Sequence, residues 1–542
     1  MRSSFAWVAG ALAVAVWSCG GSEKNVQTPD ISSDGGTDAG ADAGTGPVAD
    51  GGLGVDGGIA RDGGTATDGG TDAGTDGGTA TDGGTDAGTD GGTATDGGTD
   101  AGTDGGTATD GGTDAGTIVV GNGAGWKFLT TSDGLPANDV QDVSRDEDGN
   151  LWVAGGRAGV FVLKSTATAF QRFSLADGLH PYGYMPDGSP ADRNPYLNAI
   201  SVAGGTRGIA FIGYRGRLDA SDGIAPGQPG CEDEWDYDYN RGAPTDPSIY
   251  KSGDADKVSL VGNSISVAHY DIFSGTNVVP NELRGREKVC TIYRVVYEHG
   301  TNNVWFGGNH GFAWGRADFA GDPTCAGQLS CTGTFEHVHP AVSGSRGEIL
   351  TDNYFGVSLD PLAPHDVWFG GLIRSTRFKY GTTGSYWRAQ TATEDDASNK
   401  LDIWPDRVPD NLAKEDRVDD AISGLAALAN GEVWFGSQEK GLRVTNRSGG
   451  LIRDLTPQLL DKHLGAVAAD PLDGSVWVAY HSEVGLSRFM ADGSVRHYKS
   501  DVLGNQLTTS VINNIQVDIR KDGKREVLVA FQLGAVGIYT GQ

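Results

Sequence analysis

A motif that recurs seven times along the chain restricts the fold more than any other feature of the sequence. Its clearest copy, residues 131–164, contains three runs of alternating apolar and polar residues, separated by an Asp-Gly-Asn turn and a Gly-rich turn. This alternation between turn residues is typical of an antiparallel sheet of short strands. Aligned on the middle strand, the seven copies are NLWVAGG (150–156), GIAFIGY (208–214), NVWFGGN (303–309), DVWFGGL (366–372), EVWFGSQ (432–438), SVWVAYH (475–481) and EVLVAFQ (526–532).

The spacing of these copies predicts an all-β fold, a seven-bladed β-propeller over residues 126–542. Trp434 and Trp477 lie 43 residues apart, which suits one four-stranded blade. The wider spacings carry insertions, of which residues 215–254 are the longest. A single small sheet cannot bury both faces, whereas seven sheets packed radially can. An open β-solenoid is the alternative, and it would need end caps and shorter, more regular repeats.

The two ends of the repeat region are predicted to pair with each other. Residues 126–130 have the pattern of a strand but precede the first complete copy, and the last copy ends on a third strand at residues 536–540. We therefore expect the first segment to complete the last blade as its fourth strand. This closure would remove a free sheet edge.

The first copy also resembles a known family. The sequence GLPANDV…DEDGNLWVAGGRAGVFVL is similar to the two-component regulator propeller repeats in the periplasmic sensor domains of bacterial hybrid histidine kinases. The resemblance is clear around Trp152, Trp434 and Trp477, and it extends in weaker form over the remaining copies. It implies a propeller that senses a ligand. No membrane helix, kinase or receiver segment follows Gln542, so we expect a propeller that stands alone.

The N-terminus carries an export signal. Residues 1–18 are predicted to be a signal peptide. Its apolar run at 5–17 is shorter than a transmembrane helix usually needs to span a bilayer. The sequence VWSC (16–19) resembles a bacterial lipobox, which predicts that Cys19 is acylated and anchors the protein in a lipid bilayer. Gly20 resembles the residue at this position in lipoproteins of the outer membrane. We expect an outer-membrane lipoprotein, periplasmic or on the cell surface, with plain secretion as the alternative.

Residues 19–125 are predicted to form a disordered, low-complexity tether. The sequence DGGTATDGGTDAGT occurs four times over residues 62–117 and offers almost nothing apolar to bury. Residues 20–118 carry −17 of the formal net charge of −30, and without a basic stripe we expect no nucleic-acid partner. Calcium binding by repeated Asp-Gly-Gly is the alternative, but β-roll repeats need an apolar residue that these copies lack.

Four cysteines follow the tether, an even number that predicts two disulfides in an exported chain. Cys325 and Cys331 are close in sequence and are expected to pair, which leaves Cys231 with Cys290. Three connectivities are formally possible. A zinc site is the alternative, although no Cys-x-x-Cys occurs.

Ligand-binding residues are predicted on one face of the propeller. The loop before each first strand and the turn after each second strand lie together around the central channel, and we call their polar side chains the collar. Cations and amides there would suit a small polar ligand, a glycan or an envelope protein. The alternative is that the Asn and Asp residues simply cap turns. The predicted ligand-binding residues are Asn138, Arg157, Arg215, His310, Arg374, Lys440 and His481.

The longest insertion contains a sequence with some features of a calcium loop. In CEDEWDYDYNRG (231–242), Asp236, Asp238 and Asn240 stand at alternate positions, as hard oxygen ligands do in calcium loops. The glycine comes one place late, and Pro247 stands where a calcium loop has glutamate. Calcium is the one cofactor that the sequence suggests. The alternative is an acidic, aromatic surface loop.

Catalytic motifs are absent from the sequence: it has no nucleophile elbow, phosphate loop or His-Glu-x-x-His helix. If the propeller were an enzyme, a lyase or hydrolase of polysaccharides, His310 and His481 would be the first catalytic candidates. A scaffold for envelope assembly is a third interpretation. We favour a binding module over an enzyme.

Overall fold

The computed structural model describes residues 118–181, 196–217, 222, 254–270, 291–309, 311–321, 353–371, 375–379 and 421–541 with their side chains, and the backbone of four further strands at 334–342, 349–350, 391–393 and 401–404. The predicted signal peptide and tether lie outside these residues. The structural statements below concern the described residues.

Strands dominate this part of the chain, and they form seven sheets, antiparallel except for one parallel pair in blade three, which we call blades one to seven. Blade one contains β2 (Asp142–Arg145), β3 (Leu151–Ala154), β4 (Val160–Leu163) and β5 (Gln171–Phe173). Blade two contains β6 (Ala199–Gly204), β7 (Ile209–Tyr214), β8 (Ala255–Val261) and β9 (Ser264–Tyr270). Blade three contains β10 (Ile292–Tyr297), β11 (Asn303–Gly308), β12 (Gly311–Arg316) and β13 (Thr334–Val342), with β14 (Ile349–Leu350) and β18 (Thr391–Thr393) paired to the extended β13.

The remaining blades follow the same order of strands from the centre outward. Blade four contains β15 (Tyr354–Leu359), β16 (Val367–Gly371), β17 (Ser375–Phe378) and β19 (Leu401–Trp404). Blade five contains β20 (Ile422–Ala427), β21 (Glu432–Ser437), β22 (Leu442–Asn446) and β23 (Leu451–Asp454). Blade six contains β24 (Leu464–Ala469), β25 (Val476–Tyr480), β26 (Leu486–Phe489) and β27 (Val495–Tyr498).

Blade seven joins the two ends of the propeller. It contains β28 (Ile512–Ile519), β29 (Arg525–Phe531), β30 (Ala535–Tyr539) and, as its outer strand, β1 (Trp126–Leu129). Strand β1 runs antiparallel to β30, with Trp126 opposite Tyr539 and Leu129 opposite Val536. The closure predicted from the sequence is confirmed, and the edge of β30 is covered.

Short helices make up the rest of the regular structure in the described residues. Two α-helices, α1 (Ser500–Leu503) and α2 (Asn505–Thr508), connect blades six and seven, and three 3-10 helices are formed by Thr131–Asp133, Leu175–Asp177 and Thr456–Gln458. Among these residues no helix has the length and apolar character needed to cross a bilayer.

The hydrophobic core lies between neighbouring blades. The second strand of each blade, which carries the repeated motif, is buried on both faces, because each blade packs against the blade on either side. Trp152 of blade one, for example, is fully buried in a cluster with Ile212 and Tyr214 of blade two. Between blades three and four, Phe312 stacks on Phe369 with ring centres 4.0 Å apart. The seven middle strands predicted from the sequence are therefore the framework of the fold.

Two tryptophans of this framework, Trp152 and Trp368, are anchored by acidic residues in the turn that precedes them. Nε1 of Trp152 donates to Oδ2 of Asp146 over 2.8 Å, and Nε1 of Trp368 donates in the same way to Asp360 over 2.9 Å. Asp146 also accepts from the amide of Asp148 over 2.9 Å. Gly149 has a φ of 81°, the left-handed region that favours glycine. The Asp-Gly-Asn sequence is thus a turn, as predicted.

The innermost strands of the blades, β2, β6, β10, β15, β20, β24 and β28, contact one another in a closed ring. In six of them the register shifts by one residue near the start of the strand, as between Ile292 and Arg294 of β10. Such a bulge turns successive side chains to new directions. These strands line the central channel and determine which side chains enter it.

Candidate functional site

A cavity of about 1020 Å³ occupies the central channel and extends between blades five and six. Its lining begins at the level of Arg294, Ser423 and Asn514, and ends at the turns between the first and second strands, where His299 and Asn430 are exposed. The cavity therefore opens on the face of those turns. Its walls are largely apolar, with Val295, Val357, Leu425, Ala466, Val467 and Val517 among them.

Asp142 of β2 holds together the inner end of this cavity. Its carboxylate is completely buried. It accepts hydrogen bonds from its own blade and from the two blades beside it, blades two and seven. The donors are the amides of Val143 (2.7 Å) and Val202 (2.9 Å), Oγ of Ser201 (3.3 Å), Nδ2 of Asn514 (2.5 Å) and Nε2 of Gln516 (3.3 Å). Because the acceptor positions of the carboxylate are filled, the blades are held in register at this point.

Arg294 of β10 reaches across the channel to this carboxylate. Its Nη1 lies 3.5 Å from Oδ2 of Asp142, and only 15% of its side chain is exposed. Burial raises the pKa of Asp142, while the charge of Arg294 and the hydrogen bonds act in the opposite direction. Burial also lowers the pKa of Arg294, and the charge of Asp142 opposes that shift. An arginine remains protonated at neutral pH, so a cation stands at the inner end of the cavity.

This arrangement combines an apolar volume with a few convergent donors. Arg294 contributes guanidinium N–H groups beyond the one that faces Asp142, whereas Gln516 uses its two amide N–H groups on Asp142 and on the carbonyl of Val202, over 3.3 Å and 3.1 Å. Pockets for small organic ligands are typically 300–1,000 Å³ in volume and apolar, with a small number of fixed polar groups. The channel cavity has these properties.

On the opposite face, the predicted collar residue Arg157 belongs to a second polar cluster. Its Nη2 donates to Asp222 over 2.7 Å, its Nε donates to the hydroxyl of Tyr196 over 3.2 Å, and its guanidinium lies 5.3 Å from the centre of the Tyr196 ring. Burial and the Asp222 carboxylate raise the pKa of Tyr196 to about 12. The backbone amide of Arg157 donates to Asp139, which follows the predicted Asn138. Neighbouring residues of the same chain therefore hold Arg157 in place.

The structure places four other predicted collar residues around the same face. Asn138 and Lys440 are exposed, and Arg215 and His481 are half-buried. The backbone amide of Arg215 donates to the carbonyl of Asn198 over 2.9 Å, which links the two loops of blade two. Contacts among the side chains of these four residues are not seen within the described part of the chain. The collar is thus a set of separate positions on one face.

His481 has a distinctive environment in blade six. Its amide donates to the carbonyl of His463 over 2.9 Å, and its ring lies beside Gly465 of the inner strand. Burial, together with the charge of His463, lowers the pKa of His481 to about 4. A neutral imidazole therefore stands here at physiological pH.

Several predicted sites lie outside the described residues. These are the collar residues His310 and Arg374, the calcium-loop residues Asp236, Asp238 and Asn240, the acylation site Cys19, and the disulfide cysteines Cys231, Cys290, Cys325 and Cys331. They remain predictions.

The channel cluster was not predicted from the sequence. Asp142, Arg294 and Asn514 lie in the first strands of three different copies, far apart in the sequence. Alignment of the first strands shows one signal. At the same position of the repeat, Asp142 and Arg294 are charged, whereas the other copies have Ser, Gly, Ala or Asn.

Comparison with known proteins identifies one repeat of a known family and several solved structures of similar fold. The sequence model of the two component regulator propeller matches residues 134–157. A comparison with curated protein sequences finds no match. A structure of streptogramin B lyase is 12% identical, with a TM-score of 0.42, over 77% of this chain and 98% of that chain.

Two further solved structures are similar in the same degree. Virginiamycin B lyase from Staphylococcus aureus is 11% identical, with a TM-score of 0.39, over 77% of this chain and 99% of that chain. YCF48 bound to D1 peptide is 10% identical, with a TM-score of 0.42, over 79% of this chain and 98% of that chain. The resemblance found in the sequence is confirmed: the chain carries a two-component regulator propeller repeat at residues 134–157, within a seven-bladed β-propeller.

Proposed function

We propose that this protein is a ligand-binding module, and that the central cavity receives a small organic molecule with an apolar body and a carboxylate or carbonyl at one end. The observation that carries the proposal is the position of Arg294, a largely buried cation at the inner end of an apolar cavity that is open at its other end. A ligand that entered from the exposed turns would meet apolar walls first and the guanidinium last.

The energetics favour such a ligand. Removing about 100 Å² of apolar ligand surface from water contributes about 2.5 kcal/mol. A hydrogen bond from a guanidinium to an acceptor contributes about 1.5–3 kcal/mol, because one partner is charged. The Asp142 carboxylate already neutralises Arg294, so a neutral or singly charged ligand suits the site better than a polyanion. A small aromatic or aliphatic carboxylate has both the apolar body and the single charged acceptor that this site favours.

The test is a thermal-shift and calorimetric titration of the full-length protein with benzoate, phenylacetate and octanoate. We expect at least one of them to raise the melting temperature, and the Arg294→Ala variant to bind it at least about tenfold more weakly. Because that variant leaves Asp142 without its cation, the double variant Asp142→Asn, Arg294→Gln serves as a neutral replacement that keeps the buried hydrogen bond.

Arg157→Ala is the matched control, since it removes an arginine from the opposite face. If it weakens binding while Arg294→Ala does not, the ligand binds at the predicted collar and the channel proposal is wrong. If none of the three acids binds, and native mass spectrometry of protein from its own cells shows no bound small molecule, the channel is not a ligand site.

We also propose that the protein is exported and acylated at Cys19, so that the propeller is held at a membrane surface by the Asp- and Gly-rich segment. The support is the lipobox-like sequence VWSC at residues 16–19. Mass spectrometry of the mature N-terminus tests this directly. A free Cys19, or a mature chain that starts elsewhere, would contradict it.

A further inference from the structure

A cluster of two histidines and two aspartates lies between blades one and two and shares no residue with the channel cavity or with the Arg157 cluster. Ring nitrogens of His180 and His269 and a carboxylate oxygen of Asp256 lie within 4.8 Å of one another. Nε2 of His269 also lies 3.4 Å from Oδ2 of Asp254. Neither the repeat nor the proposed ligand accounts for this combination of side chains.

Local structure explains why three of these side chains meet. Asp254 and Asp256 flank the first residue of β8, two positions apart, so they point to the same side of the strand. His269 of β9 is directly opposite Asp256 in the antiparallel register, which brings Nδ1 of His269 to 2.9 Å from Oδ1 of Asp256. The group is therefore built on rigid strands rather than on a loop.

The fourth side chain comes from blade one. His180 follows the 3-10 helix Leu175–Asp177, and its amide donates to Oδ2 of Asp256 over 2.7 Å. Its ring stands at an edge-to-face angle to the ring of His269, with centres 4.5 Å apart. The hydroxyl of Tyr214 donates to the same carboxylate oxygen over 2.7 Å. Two donors thus fix the orientation of Asp256.

Burial makes the cluster unusual. The side chain of His269 is 3% exposed, and those of Asp254 and Asp256 are 0% exposed. Buried carboxylates are costly unless they are paired or coordinate a metal. His180 is half-buried and is the most exposed of the three residues His180, Asp256 and His269.

We propose that His180, Asp256 and His269 bind a divalent transition-metal ion of the zinc type, with Asp254 beside the other ring nitrogen of His269, where it orients the imidazole. Two imidazoles and a carboxylate are a ligand set that zinc favours, with bonds of about 2.0–2.2 Å. Ligand atoms around a tetrahedral ion of this size stand about 3.4 Å apart, so no pair of the three ligand atoms, which lie within 4.8 Å of one another, has to close by more than about 1.4 Å. Calcium and magnesium, which prefer oxygen ligands alone, fit the set poorly.

The ion would have a structural role. It would join the segment that leaves blade one to the outer strands of blade two, at the point where the insertion between residues 217 and 254 returns to the sheet. A metal that binds only the folded state stabilises it by RT ln(1 + c/Kd), where c is the free metal concentration, so the melting temperature rises with metal concentration. This site is independent of the proposed channel ligand, because the two share no residue.

The experiment uses the full-length protein, stripped with EDTA and then titrated with Zn²⁺ or Co²⁺ alone. We expect Zn²⁺ to raise the melting temperature and Co²⁺ to give visible absorption bands typical of tetrahedral nitrogen and oxygen ligands. His180→Gln, at the half-buried position, should weaken zinc binding at least about tenfold and remove the bands while the circular dichroism spectrum stays unchanged. Ca²⁺ should not compete.

His463→Gln is the matched control, because His463 also lies beside an aspartate, with Nδ1 2.5 Å from Oδ1 of Asp461. It should leave zinc affinity and the cobalt bands as in the wild type. Metal bound by the Asp-rich segment would be common to all variants, so the difference between them isolates the site. Cobalt bands that persist in both His180→Gln and His269→Gln, or that are absent from the wild type, would overturn the proposal.

Discussion

Trp126 of β1 is paired across the sheet with Tyr539 of β30, and the centres of their rings lie 5.2 Å apart. The same indole contacts Trp477 edge-on at 6.4 Å and Tyr498 at 5.7 Å, both in blade six. The first strand of the propeller therefore completes one blade and packs against the next. A residue more than 400 positions away in sequence is needed to finish the last sheet.

Replacing Trp126 by alanine should weaken this closure. The ring is half-buried, so we expect a loss of about 2–4 kcal/mol in the free energy of unfolding, measured by urea denaturation. Deletion of residues 125–131 should unfold the propeller cooperatively, because β30 then becomes an exposed edge. Lys127→Ala, on the exposed side of the same strand, should change the stability by less than about 0.5 kcal/mol. A deletion variant with the melting temperature of the wild type would contradict the closed ring.

The hydrogen bond from Trp152 to Asp146 should contribute more to the stability of the fold than a side chain in a turn usually does. Asp146→Ala leaves the buried indole N–H without its acceptor, which should cost about 2–3 kcal/mol of stability. Asp146→Asn keeps an acceptor oxygen and should cost less. Asp148→Ala, in the same turn, is the control. Equal effects of Asp146→Ala and Asp148→Ala on the urea midpoint would mean that the indole contact contributes nothing.

The stability of the propeller should depend on pH through His481. Its pKa falls from about 6.5 in the unfolded chain to about 4 in the folded protein. The unfolded state therefore binds more protons between these values, so the contribution is fully present above pH 6.5 and is lost as the pH falls toward 4. The loss should amount to at most about 3 kcal/mol.

The measurement for this prediction is the free energy of unfolding at several pH values for the wild type and His481→Asn. The difference between the two should shrink as the pH falls from 7 to 4, since the variant lacks the group that must be protonated. His299→Asn, at an exposed histidine, is the control. A parallel pH profile for wild type and His481→Asn would show that this histidine is not the cause.

Much of the fold was predictable because its signals are local. The recurring middle strand is encoded within each copy, four of the copies also have an Asn-Gly or Asp-Gly turn before it, and the structure has strands at all seven aligned segments. The closure was predictable because an unpaired strand pattern at one end matched a missing strand at the other. The paired additions to blade three, β14 and β18, were missed, since they depend on an insertion that has no counterpart in the other copies.

The candidate sites were predictable only in part. Loop positions such as Arg157 could be placed on one face from the repeat alone, although the partners that hold it, Tyr196 and Asp222, could not be identified. The inner end of the channel was missed altogether. Asp142 and Arg294 are 152 residues apart, and nothing local in either strand shows that one faces the other.

The number of blades and the closure of the ring follow from the sequence alone, because the strand pattern acts over a few residues and recurs in seven copies. The tertiary structure decided which polar side chains meet. Only radial packing brings Arg294 to Asp142 across the channel, and His180 to Asp256 and His269 between two blades. Those meetings depend on the distance between blades, which no single copy of the repeat encodes.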